Sequence, residues 1–213
     1  MFAFCTSLNS LNLANFDTSQ VNNISAIFKG CSKITLLDIS NFNTSKITEM
    51  EHMFYGCSSL YSLNLSHFDT SSVENMNSMF YNCTSLTTLD LSNFDTSKVS
   101  NMNNLLYNCM NLTFLNISNF DTSNVNDMNN MFYNCSLLNS LDLSNFDTSN
   151  VNNIKYMFYG CQNLKYINFS ISNSNAKSIN IFSLTHSNLI VCGNNNDDIL
   201  FDLNIFMRKH IFL

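Results

Sequence analysis

The chain has 213 residues, 45% of them hydrophobic and only 11% charged, with no Pro, no Trp and four Gly. So much apolar material and so few breakers exclude a disordered linker and predict a packed core. A net charge of -6 and an isoelectric point near 4.9 exclude a phosphate-tracking nucleic-acid binder, which would need clustered Lys and Arg.

At the N-terminus, Met1-Phe2-Ala3-Phe4-Cys5 occupies the register of Met53-Phe54-Tyr55-Gly56-Cys57, so the chain opens inside a repeat. This reads as lost upstream repeats or a truncated reading frame. It leaves a first strand whose open edge predicts edge-to-edge self-association. No basic start followed by an apolar run stands here, so no signal peptide is expected and a cytoplasmic location stays open.

From there the repeat runs without insertion or deletion. Cysteines stand at 5, 31, 57, 83, 109, 135 and 161, each 26 residues after the last. Phe16, Phe42, Phe68, Phe94, Phe120 and Phe146 keep the same step, as do Leu8, Ile34, Leu60, Leu86, Leu112, Leu138 and Leu164. Such spacing is the signature of a solenoid, in which each column holds one side-chain type down the stack. A single coil buries too few side chains to offset the ordering of its backbone, so stability must come from stacking.

In the fourth coil, Leu86 to Ser92 reads L-x-x-L-x-L, a leucine-rich-repeat strand with alternate residues inward. Seven such strands are counted, ending at Ser170, and at a spacing of ~4.8 Å they predict a parallel sheet roughly 30 Å long. After the D-T-S corner, Val99, Met102, Leu105 and Leu106 follow at steps of 3, 3 and 1. That spacing predicts a short helical or 3-10 turn opposite the sheet; a short second strand is the alternative, because V-x-x-M also matches L-x-x-L. The slot before each Cys holds Gly30, Gly56, Asn82, Asn108, Asn134 and Gly160, residue types that tolerate a left-handed backbone and read as a helix C-cap. After Ser170 the period is lost. Residues 1–170 are therefore expected to form the solenoid, and residues 171–213, with an Asn/Asp cluster at Asn194 to Asp198, a C-terminal cap or the start of another module. The segment Ile199 to Leu213 is interrupted by polar residues and is shorter than the ~20 residues of a membrane span, so no membrane span is expected.

The unit M-F-Y-x-C-x-x-L-x-x-L-D-L-S-x-F-D-T-S-x-V-x-x-M, nearly intact from Met79 to Met102 and again from Met131 to Ile154, resembles the BspA-like leucine-rich-repeat family of surface proteins over roughly residues 1 to 170. The resemblance implies a cell-surface or extracellular location, adhesion and binding to host or matrix proteins. It supplies no catalytic residue.

Several columns could carry chemistry. Adjacent cysteines fall within disulfide range, yet side chains pointing into a coil favour buried free thiols. No C-x-x-C pair and no His column accompany them, so no metal is expected. Asp17, Asn43, Asp69, Asp95, Asp121 and Asp147 open the D-T-S corners and read as Asx-type turns or caps. The slot Asn12, Asp38, Asn64, Asp90, Asn116, Asp142, Asn168 alternates, which separates like charges and lets each Asn donate to an Asp; duplication of a two-coil unit explains it equally. Eight N-x-S/T sequons are close to chance in a chain so rich in Asn, Ser and Thr. His52, His67, His186 and His210 share no register, and no phosphate-cradling or nucleophile motif occurs, so no enzyme and no cofactor are expected.

The candidate ligand face is the outward side of the strands: Tyr61, Ser62, Asn64, Thr88, Asp90, Phe114, Asn116, Ser140, Asp142, Lys165 and Tyr166, with Ser10 and Leu36 in the same column. It predicts a non-enzymatic module for a protein ligand or a glycan. The alternative is an intracellular repeat scaffold, or a fragment without a ligand of its own.

Overall fold

Columns that recur every 26 residues require each coil to lie directly over the last. The computed structural model, which describes residues 1–173 and 175–193, shows that stack. Five three-residue strands lie in parallel register: β1 Thr88–Asp90, β2 Phe114–Asn116, β3 Ser140–Asp142, β4 Tyr166–Asn168 and β5 Ile190–Cys192. β1 pairs with β2, and β3, β4 and β5 pair in that order, as two sheets. Only four of the seven expected strands are therefore regular. The matching segments of the first three coils run extended with sparse cross-coil bonds, such as Tyr61 N to Thr35 O at 3.1 Å.

The core follows the columns. In the fourth coil Leu86, Leu89, Leu91, Phe94, Val99, Met102, Leu105 and Leu106 are all at most 1% exposed. Phenylalanine rings stack from coil to coil, with Phe28, Phe54 and Phe80 at 5.8 and 5.6 Å and Phe132, Phe158 and Phe182 at 5.4 and 5.3 Å between centroids. The buried threonines of the D-T-S column are paired across coils. Thr96 Oγ donates to Asp121 O at 2.8 Å and accepts from Asp121 N at 2.9 Å, and Thr18, Thr44, Thr70 and Thr122 make the matching donation.

The side opposite the strands corrects the expected helical turn. Among the described residues no helix forms. Instead the chain makes consecutive tight turns, Leu105 N to Met102 O, Tyr107 N to Asn104 O and Cys109 N to Leu106 O. The residues between donate to the next coil: Met102 to Asp127 O, Asn104 to Asn129 O, Leu106 to Met131 O and Asn108 to Tyr133 O. Two left-handed positions per coil enforce this. The slot before Cys has φ between +56° and +75° from Gly30 to Gly160, and Ala26, His52, Ser78, Asn104, Asn130 and Tyr156 have φ near +55°. A helix cannot pass through such residues, so the steps of three come from turns closed between residues three apart. Isolated parallel bridges, Asn23 to Glu49 and onward to Asn153 and Lys177, form a second ladder beside these turns.

The loss of spacing after Ser170 does not end the stack. Tyr166 pairs with Ile190 and Asn153 with Lys177, both 24 residues apart, so the next turn of the chain is two residues shorter. Thr148 adapts by bonding Ser170 O and Ser172 N, and Ile181 and Phe182 enter the core. The Asn/Asp cluster at 194–198 and the segment 199–213 lie outside the described residues. No helix among the described residues is long and apolar enough to cross a membrane.

Candidate functional site

Alternation along a three-residue strand sends the middle residue inward and the outer two to solvent. Thus Leu89, Leu141 and Ile167 are buried, while Thr88, Asp90, Phe114, Ser140, Asp142 and Tyr166 are exposed on one face; Ser62 and Asn116 are half-buried and Asn64 is exposed. Tyr61 and Lys165, one position before the face column, are also exposed. Large apolar groups punctuate this face: Leu36 is 65% exposed, Tyr61 59%, Phe114 52%, Tyr166 41% and Ile190 59%. Ile190 belongs to the strand that the broken period concealed. The coil that carries Ser140 stands between Phe114 and Tyr166 on this face.

The polar edge of the face is stiffened by Asx turns. Oδ1 of Asp38, Asp90 and Asp142 each accepts the backbone N–H of the Ser two residues on at 3.0 Å, and Asn64 does the same with Ser66. Those Ser contacts hold the three carboxyls below the usual aspartate range, with Asn116 assisting at Asp90 and Asn168 at Asp142. The local turn to Ser, rather than the alternating Asn, is thus the hydrogen-bond partner of each of these Asp side chains. The D-T-S column behaves alike, with Asp17, Asn43, Asp69, Asp95, Asp121 and Asp147 accepting from the following Ser N–H at 2.8–3.1 Å.

The cysteine column lies on the inside. Cys31 to Cys161 are free and buried, each thiol donating to the carbonyl 29 residues earlier at 3.1–3.2 Å. Burial pushes Cys57, Cys109 and Cys161 up to about 12, so these thiols are inert small hydrophobes. Cys5 and Cys192 are free and exposed. Among the described residues no group of three or more His, Cys, Asp or Glu is placed to hold a metal ion.

A second surface escaped the sequence reading. On the turn side, Tyr55, Tyr81, Tyr107, Tyr133 and Tyr159 stack in a ladder with centroids 4.4, 4.4, 4.5 and 4.8 Å apart and planes within 10° of parallel. Lys29, which precedes Tyr55 in this column, lays its ammonium 4.6 Å from the Tyr55 ring centroid. Partial burial, reinforced by neighbouring phenols, pushes Tyr81, Tyr107 and Tyr133 up, so all three stay uncharged at neutral pH. Carboxamides form parallel rows: Asn134 to Asn108 to Asn82, and Asn130 to Asn104. The signal was present, since Tyr follows Phe in every M-F-Y run, but the run reads as uniformly apolar until the turn separates buried Phe from half-buried Tyr.

A family model described as "Mycoplasma protein of unknown function, DUF285" matches residues 1–109 and 83–190. No curated protein matches the chain. Among solved structures the chain is similar to a leucine-rich repeat protein from Bacteroides ovatus, with 13% identity and a TM-score of 0.46 over 90% of this chain and 64% of that one. It is also similar to a leucine rich cell surface protein from Faecalibacterium prausnitzii, with 15% identity and a TM-score of 0.30 over 95% of this chain and 77% of that one. The chain thus spans just under two thirds of the Bacteroides protein.

Proposed function

This chain belongs to the DUF285 family, whose description assigns no activity, and we propose that it is a non-enzymatic binding module, displayed at a cell surface, that engages a host or matrix protein through its strand face. The observation that carries this reading is the row of Leu36, Tyr61, Phe114, Tyr166 and Ile190, all more than 40% exposed on or beside one face of the stack. Exposed apolar groups on a polar rim mark interaction surfaces, and aromatic anchors dominate their energetics. The Asx-locked Asp90 and Asp142 flank these anchors and match a partner with basic or amide groups. The resemblance to BspA-like surface proteins supports the location.

The test is binding of the purified chain to immobilised extracellular-matrix proteins, compared with a Phe114→Ser/Tyr166→Ser variant. We expect the variant to bind at least about tenfold more weakly, the loss of two aromatic anchors. Equal binding by the variant, or protection of the chain from protease on intact source cells, would sink the reading. Six buried thiols favour a second reading, a scaffold in a reducing compartment, and the same accessibility measurement separates the two.

A further inference from the structure

The strand-face reading leaves the turn side of the stack without a role, yet that side carries a built groove. Tyr107, Tyr133, Tyr156, Tyr159, Asn130 and Asn180 line an open cleft of about 500 Å³, a size suited to a small ligand. At this end the tyrosine ladder stops. The next residue in its column is Ser183, whose carbonyl accepts from Gly160 N, and among the described residues no ring stacks on the outer side of Tyr159. Tyr156 stands beside it at 75°, with centroids 5.9 Å apart, so a ligand in the corner meets the face of one ring and the edge of the other.

The polar atoms complement the rings. Asn130 uses both hydrogens of its Nδ2, towards Asn104 Oδ1 at 3.0 Å and Asn129 Oδ1 at 2.9 Å, which leaves its own Oδ1 as an acceptor. Asn180 Oδ1 accepts Ser183 Oγ at 3.2 Å, which leaves its Nδ2 as a donor. One acceptor and one donor, set two coils apart beside aromatic surface and with no ionised side chain among the described residues of the lining, match a neutral molecule that combines an apolar face with hydroxyls spaced along it.

We propose that the corner formed by Tyr156, Tyr159, Asn130 and Asn180 is a binding site for a neutral oligosaccharide, whose ring C–H face packs on a tyrosine while hydroxyls on separate sugar units bond the two carboxamides, which stand on the coils either side of Tyr156. At the far end of the ladder the ammonium of Lys29 already occupies the Tyr55 face, so among the described residues the Tyr159 end is the one left open to a ligand. The site is separate from the strand face, and neither needs the other.

The chain contains eight Tyr and no Trp, so its intrinsic emission reports tyrosine alone. A panel of neutral glucose-, galactose- and N-acetylglucosamine-based disaccharides, titrated into the full chain, is expected to change that emission saturably for at least one member. The Tyr156→Ala and Asn180→Ala variants are each expected to weaken that binding by about tenfold, while Tyr61→Ser leaves it unchanged. Circular dichroism confirms that each variant keeps the stack. Absence of saturable binding by any disaccharide overturns the proposal, as does binding that persists in both folded groove variants. Saturation by tetramethylammonium instead of a saccharide also overturns it, because an aromatic corner that prefers a cation is a different site.

Discussion

Individual residues in this protein work through the coil above or below them rather than through their neighbours in sequence. Thr96 is the clearest case: it is fully buried, and its hydroxyl serves both backbone groups of Asp121 one coil on. Replacing it with Val keeps the shape and orphans a part-buried N–H and C=O. Thr96→Val is therefore expected to cost about 1–3 kcal/mol, read as a lower urea midpoint at an unchanged slope. The cysteines follow the same logic. With six thiols buried and hydrogen-bonded to carbonyls, a thiol-modifying reagent is expected to label only Cys5 and Cys192 in the native chain and all eight in denaturant. Rapid native labelling of Cys109 would show that the column opens readily and that the packing described above is wrong.

At the scale of the element, the corner turn is an electrostatic device as well as a geometric one. The following Ser holds the carboxyls of Asp17, Asp69, Asp95 and Asp147 below the ordinary aspartate range through its hydroxyl and N–H. A carboxyl depressed in the folded state contributes stability that is complete above the unfolded value near 3.9 and is lost as pH falls through the folded value. The thermal midpoint is thus expected to be flat on this account between about pH 7 and 5 and to fall below about pH 4. Asp95→Asn keeps the acceptor and removes the titration, so it should lessen the acid dependence; a midpoint that rises on acidification below pH 4 contradicts the turn argument. Glu49 is the opposite case. It stands in the column where Asn23, Asn75, Asn101, Asp127 and Asn153 make Asx turns, and desolvation, with Glu51 and Glu74 nearby, pushes its carboxyl up.

At the scale of the whole molecule, each coil touches only its neighbours, so the stack should tolerate loss of a complete coil and not of part of one. Deleting residues 84–109 joins Cys83 to Met110 and preserves every column. That variant is expected to keep its circular dichroism per residue, with a denaturant slope lower by roughly an eighth, in proportion to the surface removed. Deleting 13 residues at the same place puts strand over turn and is expected to abolish cooperative unfolding. Equal tolerance of both deletions would show that the columns do not define the coil.

What the sequence determined by itself is the set of environments. A column such as Cys31 to Cys161 or Thr18 to Thr148 repeats one side chain in one setting, so burial, the Asx corners and the outward strand face with Phe114 and Tyr166 are readable from recurrence alone. The path between those columns was decided only by the tertiary structure. Steps of three residues are common to a helical turn and to successive tight turns, and the choice between them rests on left-handed positions at His52, Ser78 and Tyr156, where the residue type gives no warning. A coil shortened by two residues leaves no 26-residue echo, yet it still pairs, because a parallel ladder registers backbone groups and not residue numbers. The tyrosine groove has the same origin: Tyr156, Tyr159 and Asn180 converge only once the turns have folded and the coils have stacked.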